Sequence, residues 1–482
     1  MKNILIAIRS IFKKGRHNVM KIVSLGIGLA VGLVLIAKVY FEQSYDDFYP
    51  DRDRVYQVWA KYQQNGGELK DYPQTSGGIA PTMQQQIPEI ETVTRYTSFG
   101  DWTFTMTDTK MKYSGRCIIA DSCFFDILPR PMLIGNAKEV LSTPMYVLIS
   151  SRIAKNIGGD VIGKNFTVDN SPGRTMTIGG VFEEVPENSH SRYDVIVSMA
   201  SAGRFMWEGS PTNMLGNDRY ISYVKLHKGV NPLALEEQVR TFVNSYFPPE
   251  EQQKVGLSID FSFHKLDNLH KELPQVKRMT WILSLLAFAL IFTAVMNYIL
   301  IVISSIVNRS KEVAVHKCYG ASENNIHGMM FGEALVHIVL SLILALLLIL
   351  AFRGTVEELL ATSLDSLLLS NGSLVLLGIC ILVFFVSGFM PGSLYARIPV
   401  ASAFRNYREN KRIWKKALLL VQFVATGFLV TMLVFVARQY TFMVNDRPGY
   451  AYENLAYCGL AGVDSTSRAK ILDEVMRLPG VA

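Results

Sequence analysis

The stretch "NRSKEVAVHKCYGASENNI", residues 308–326, separates two apolar runs, 280–307 and 329–352. It is mixed in charge and helix-like. A bilayer core of about 30 Å takes roughly 20 apolar residues per helix, so each flanking run is long enough to cross one. As a helix, the stretch sets Val315, Cys318, Tyr319 and Ile326 on one face, with Glu312, His316 and Glu323 elsewhere, and Gly320 offers a break or a close backbone approach. A segment that only connects is usually short and polar. An apolar stripe carrying charges of both signs suits docking against a soluble partner.

Working outward, the same logic sorts the whole chain. Of 482 residues, 49% are hydrophobic and 18% charged, and the apolar ones fall in blocks, the pattern of a membrane protein with a soluble part. Spans are expected at 22–41, 279–307, 328–352, 373–394 and 417–437. The long polar interval 42–278 is large enough to fold on its own. Cytoplasmic loops collect Lys and Arg. Residues 1–21 carry Lys2, Arg9, Lys13, Lys14, Arg16 and Lys21 and no acid, and 395–416 carries seven bases against Glu409 alone, whereas 353–372 has one base and three acids. These biases predict a cytoplasmic lead-in (1–21), an outer domain (42–278) that the resemblance given below makes periplasmic, a cytoplasmic segment (308–327), an outer loop (353–372), a basic cytoplasmic linker (395–416) and a second outer segment (438–482).

The net charge of +7 flanks helices and forms no separate basic domain, which argues against nucleic acid as a partner. The first apolar run is too long for a signal peptide, and Lys38-Val-Tyr-Phe-Glu42 stands where a small-residue cleavage site would be needed. Cys117, Cys123 and Cys458 lie outside; Cys117 and Cys123 could pair in an oxidising compartment, and two unpaired thiols fit equally.

Strand-like runs at 55–60, 102–107, 111–119, 145–150, 175–182, 193–198, 220–226 and 257–264, with helix-like segments at 81–87 and 232–246, make the outer domain mixed α/β. The fold class expected is an α-helical transmembrane protein with a large mixed α/β extracytoplasmic domain. Internal similarity joins "AIRSIFKKGR" (7–16) to "AFRNYRENKR" (403–412), and Ala37-Lys38-Val39-Tyr40 to Ala437-Arg438-Gln439-Tyr440. That repeat predicts a truncated two-repeat protein whose second outer domain has just begun.

Catalytic and metal signatures are thin. Neither H-E-x-x-H nor G-x-S-x-G occurs, Ser10-x-x-Lys13 lies on the amphipathic lead-in, and the spacing of His264 and His270 has no ligand logic. Within the spans, Lys38 is expected to snorkel to the interface. Asn297 and Gln422 are polar, and Glu333 and His337, four apart, could pair near the cytoplasmic end of the third span. Trp281 and Trp414 read as interface anchors.

The run Arg309-Ser-Lys-Glu312-Val-Ala-Val-His-Lys317-Cys-Tyr-Gly320-Ala321-Ser322 resembles the R-x-x-E-[IV]-x-[IV]-x-[KR]-x-x-G-[AS] segment of FtsX-like permeases, the MacB/LolC type of ABC transporter. Phe331-Gly332-Glu333-Ala334-Leu335 is similar to the family's next helix start. "ADSCFFDIL" (120–128), "VLISSRIAKNIGGDVIGKNFTVDN" (147–170) and "RTMTIGGVFEEVPENSH" (174–190) resemble its periplasmic core domain in order and spacing. The run "ALVHIVLSLILALLLIL" (334–350) of the third span lacks the glycines expected for close packing.

This resemblance implies the permease subunit of an inner-membrane transporter, acting on a substrate such as a peptide, a drug or a lipoprotein. Arg309, Glu312, Lys317, Gly320 and Ala321 would couple it to an ATPase. With no G-x-x-x-x-G-K-[ST] run in the sequence, that ATPase would be a separate subunit, ATP would bind there, and this chain would hold no cofactor or metal and perform no catalysis. Further partners in such a system are the lipid bilayer, a second permease copy, and a periplasmic adaptor or outer-membrane duct. The rival reading is a transmembrane sensor that signals through its outer domain without transport.

Overall fold

Apolar blocks become long helices here because only a helix satisfies every backbone group within its own segment. The structure, a computed structural model, describes residues 17–168, 173–369, 372–396, 398–400, 413–445, 455 and 465–481. Both basic lead-ins of the repeat, 7–16 and 403–412, lie outside them, as do Ser10, Lys13, Cys458 and the side chain of Trp414.

In chain order the main elements are α1 (Asn18–Gln43), β1 (Val55–Gln64), β2 (Lys70–Tyr72), α2 (Ile79–Gln86), β3 (Ile90–Met106), β4 (Lys112–Ala120), β5 (Met132–Ile134), β6 (Tyr146–Ser150), α3 (Ser151–Ile157), β7 (Asn165–Val168), β8 (Thr175–Phe182), β9 (Val195–Ser198), β10 (Ile221–Leu226), α4 (Glu236–Tyr246) and β11 (Leu257–Lys265). Then follow α5 (Pro274–Ser304), α6 (Ile306–Cys318), α7 (Glu323–Ala351), α8 (Arg353–Leu360), α9 (Leu364–Leu368), α10 (Ser373–Ala396) and α11 (Ile413–Asn445). The chain divides into a strand-rich unit, the described parts of 45–272 and 453–482, and a helical unit, those of 1–44 and 273–452.

In the strand-rich unit β1, α2, β3, β10, α4 and β11 form a β-α-β-β-α-β arrangement. Its strands run β11-β1-β10-β3, each antiparallel to its neighbours, the ferredoxin-like order. Val58, Ala60, Val224 and Phe261 of the sheet pack on Ile79 and Met83 of α2 and Val239 and Phe242 of α4. A second lobe is inserted between β3 and β10. Strand β3 serves both: its first half pairs with β10 and its second with β4 and β7. The sheet continues through β9, β6, β8 and β5, around a core of Phe104, Ile119, Ile149, Phe166 and Val197.

Five described helices, α1, α5, α7, α10 and α11, are long and apolar enough to cross a membrane, with mean hydropathy of 2.4 to 3.0. Their close packing rests on small residues. A Cβ at Gly28 of α1 would fall 2.2 Å from Ala294 Cβ on α5, and one at Gly32 would fall 2.4 Å from Ile291. The glycines missing from the apolar stretch of the third span sit on its neighbours: Gly26 of α1 faces Leu344, while Gly388 and Gly392 of α10 face Phe331 and His327. Helix α11 joins the bundle against α5, where Gln422 Nε2 donates to Asn297 Oδ1 at 2.6 Å. Where a loop was expected at 353–372, two short helices form; Ser363 caps α9 by accepting from Ser366 N–H.

Lys38 does not snorkel. It is buried, 2.7 Å from Glu42 Oε1 on its own helix and donating to Thr362 Oγ1 at 2.7 Å. An i,i+4 acid and a hydroxyl satisfy the ammonium where it stands, so it has no need to reach water.

Candidate functional site

Helix α6 is short because its sequence stops it. Gly320 takes φ +83; its N–H bonds Lys317 O at 3.0 Å, and Ala321 N–H bonds His316 O at 3.0 Å. Those two bonds make a Schellman motif, which calls for a left-handed residue at Gly320. Ser322 then caps α7, accepting from Asn325 N–H, so 319–322 is a fixed corner.

The faces of α6 divide more sharply than periodicity implied. Arg309, Ser310, Val313 and Ala314 are buried; Lys311, Val315, His316, Cys318 and Tyr319 are exposed, Tyr319 at 89%. Ile326, expected on the same stripe, is buried in α7. Lys317 is engaged within the chain, its ammonium donating to Ala396 O at 2.7 Å and Ile398 O at 2.8 Å. It thereby caps the C-terminal end of α10, where a cation is favoured.

Glu333 does not pair with His337. Its Oε2 meets Arg309 Nη2 at 2.8 Å and its Oε1 faces Lys21 Nζ at 3.5 Å, while His337 Nδ1 lies 3.1 Å from Tyr298 OH. Arg309 also has Glu312 Oε2 3.6 Å from its Nε and lies over the Tyr395 ring, 5.4 Å from the centroid. Tyr395 OH in turn bonds Val302 O and Ser305 Oγ, each at 3.1 Å. Thus α1, α6, α7 and α10 converge on one buried carboxylate. Sequence reasoning missed Lys21 and Tyr395; the signal available was that a carboxylate entering an apolar helix needs a buried cation.

Elsewhere the chemistry is closed. His190 Nδ1 lies 2.6 Å from Asp46 Oδ2, and Ser191 Oγ lies 3.1 Å from His190 Nε2, spacing that suits an activated serine. Ser191 is buried, however, and its hydroxyl is bound to Tyr96 OH at 2.7 Å. Burial pushes the Tyr96 phenol up to about 12. The cluster is a chain of hydrogen bonds that engages the Ser191 hydroxyl within the fold.

His264 stacks on Trp59 and His270 on Tyr45. No metal-holding group occurs among the described residues. Cys117 and Cys123 are free, and burial pushes both thiols up, which makes them poor nucleophiles. A cavity of about 490 Å³ among α1, α5 and α10, lined by Ile36, Val39, Phe292, Ile379 and Val383, holds no ionisable group.

Residues 20–242 match the MacB-like periplasmic core domain, and residues 284–400 match the FtsX-like permease C-terminal domain. Among solved structures, a domain of a protein described as a permease from Porphyromonas gingivalis is 33% identical, covering 45% of this chain and 91% of its own, with a TM-score of 0.42. No curated protein matches the chain. With both domains present in one sequence, the chain belongs to the FtsX/MacB-type family of ABC transporter permeases.

Proposed function

We propose that the chain is the membrane subunit of a MacB/LolC/FtsX-type ABC transporter in a bacterial inner membrane, with its N-terminus cytoplasmic and its strand-rich unit periplasmic. A separate ATPase binds and hydrolyses ATP. Its movement is received by α6 and carried along α5 and α7 to the strand-rich unit, which exports or extracts a peptide, drug or lipoprotein. Arg309 and Lys317 hold the segment to the bundle, Gly320 and Ala321 form its corner, and Glu312 lies on its half-exposed flank.

The observation that carries this reading is the two-faced α6. One side is anchored by buried charge and apolar contact, while the other presents Lys311, Val315, His316 and Tyr319. An aromatic held out at a fixed corner is the type of residue that anchors an interface. The test is purification of the full chain in mild detergent. The expected result is a co-purifying Walker-type ATPase whose retention falls roughly 30-fold in Tyr319→Ala, equivalent to about 2 kcal/mol. A wild-type chain that brings down no nucleotide hydrolase, and instead a ligand-triggered partner, would overturn the proposal in favour of a sensor.

A further inference from the structure

The two oxygens of Glu333 face different cations on different elements: Oε2 meets Arg309 of α6, and Oε1 faces Lys21 of α1. Arg309 is likewise placed between two acids, Glu333 at 2.8 Å and Glu312, one turn along its own helix, at 3.6 Å. Lys21, Arg309 and Glu333 have side chains 1%, 7% and 7% exposed, whereas Glu312 is 35% exposed, at the edge of the bundle.

An isolated buried ion pair resists separation, because each half is left uncompensated in a medium that solvates it poorly. This set lacks that property. If α6 moves away from α7, the Arg309–Glu333 contact is the one ion pair of this set that has to break. Glu333 keeps Lys21, and Arg309 keeps Glu312, which travels with it. Arg309 Nη1 has no hydrogen-bond partner among the described residues, so the resting contact is not its most saturated arrangement.

We infer that Lys21, Arg309, Glu312 and Glu333 form a charge hand-off: Glu333 passes from Arg309 to Lys21, and Arg309 from Glu333 to Glu312, each time α6 is displaced. No proton or covalent bond is exchanged; two ion pairs trade partners. All four are positioning residues. The inference rests on the reading that an ATPase displaces α6, and it adds the device that lets a charge-anchored helix leave its seat without stranding a buried charge.

Lys21→Met tests it, because this change removes the waiting cation and leaves the resting Arg309–Glu333 pair complete. In the detergent-purified full chain with its co-purifying ATPase, the hand-off requires an unchanged thermal midpoint and subunit ratio. It also requires ATP hydrolysis reduced by about tenfold, as a stranded carboxylate raises the barrier to moving α6. Lys21→Arg restores the rate, and Lys21→Met/Glu333→Gln, with no carboxylate to strand, is faster than Lys21→Met alone. A merely structural Lys21 would give the reverse: a lowered midpoint in Lys21→Met and a double variant worse than either single. Wild-type hydrolysis in an assembled Lys21→Met complex, or a Lys21→Met chain that fails to fold, overturns the hand-off and leaves the function standing. A wild-type chain with no ATPase overturns both.

Discussion

Two buried lysines sit near opposite ends of α1 and solve the same problem differently. Lys38 finds its counter-charge one turn away on its own helix, with Thr362 as a second acceptor. Lys21 shares a carboxylate that lies 312 residues along the chain and is also held by α6. The Lys38–Glu42 pair travels with its own helix, and a neutral hydroxyl is what ties it to the chain beyond. A carboxylate shared between helices senses their relative position, and it lies at the end of the bundle where α6 turns the chain back. Charge of one kind is thus used as a fastening at one end and as a joint at the other.

The largest effect should come from breaking the joint. Glu333→Leu leaves Arg309 and Lys21 buried together without their acid, a loss of about 3–5 kcal/mol, seen as a lower thermal midpoint of the detergent-purified chain. Glu42→Leu should cost less, about 1.5–3 kcal/mol, since Lys38 keeps Thr362 and the face of the Phe41 ring, whose centroid is 4.9 Å away. Equal costs would dissolve the contrast. Gly28→Val asks whether α1 carries its two lysines rigidly: the new side chain meets Ala294, and overpacking of this kind costs about 1–3 kcal/mol.

Next in size is Gly320→Ala, at about 1–2 kcal/mol of left-handed backbone strain, with Gly320→Asn milder. A bulky residue there has open space around it but the same strain, so Gly320→Trp disturbs the corner as well as the docking face. The smallest effect lies in the strand-rich unit. Lys225 and Arg54 hold the Asp51 carboxyl below its usual range, and Arg54 does the same for Glu91. Depressed acids stabilise the fold above their unfolded values, near 4, and lose that contribution as pH falls through the depressed ones. Thermal midpoints taken from pH 7 down to pH 3 should therefore decline less steeply in Arg54→Met than in wild type.

Much of this was legible in the sequence, and what was not has a physical pattern. Apolar run length located all five long helices, and alternation placed the strand at Thr175–Phe182 to the residue. The Lys38–Glu42 pair replaced the expected snorkelling of Lys38, although the two residues lie four apart on one helix. Short edge strands such as Met132–Ile134 carry too few residues to show alternation. Helix α9 owes its existence to the Ser363 cap and to Leu364 and Leu367 entering the core, contacts that composition does not display. At the candidate site the corner at Gly320 and the exposed Tyr319 followed from local pattern. The partners of Glu333 did not, because contacts between separate helices, to Arg309 and across 312 residues to Lys21, leave no periodic trace.

The side-chain bond between Gln422 and Asn297 ties α11 to α5. The hydropathic part of that helix is otherwise unburied, and an amide bond surrounded by hydrocarbon is worth about 0.6 kcal/mol on average and up to about 1.7. A bond of that size is a light fastening: it marks where α11 meets α5, while the match of apolar length to bilayer thickness sets the depth at which the helix sits.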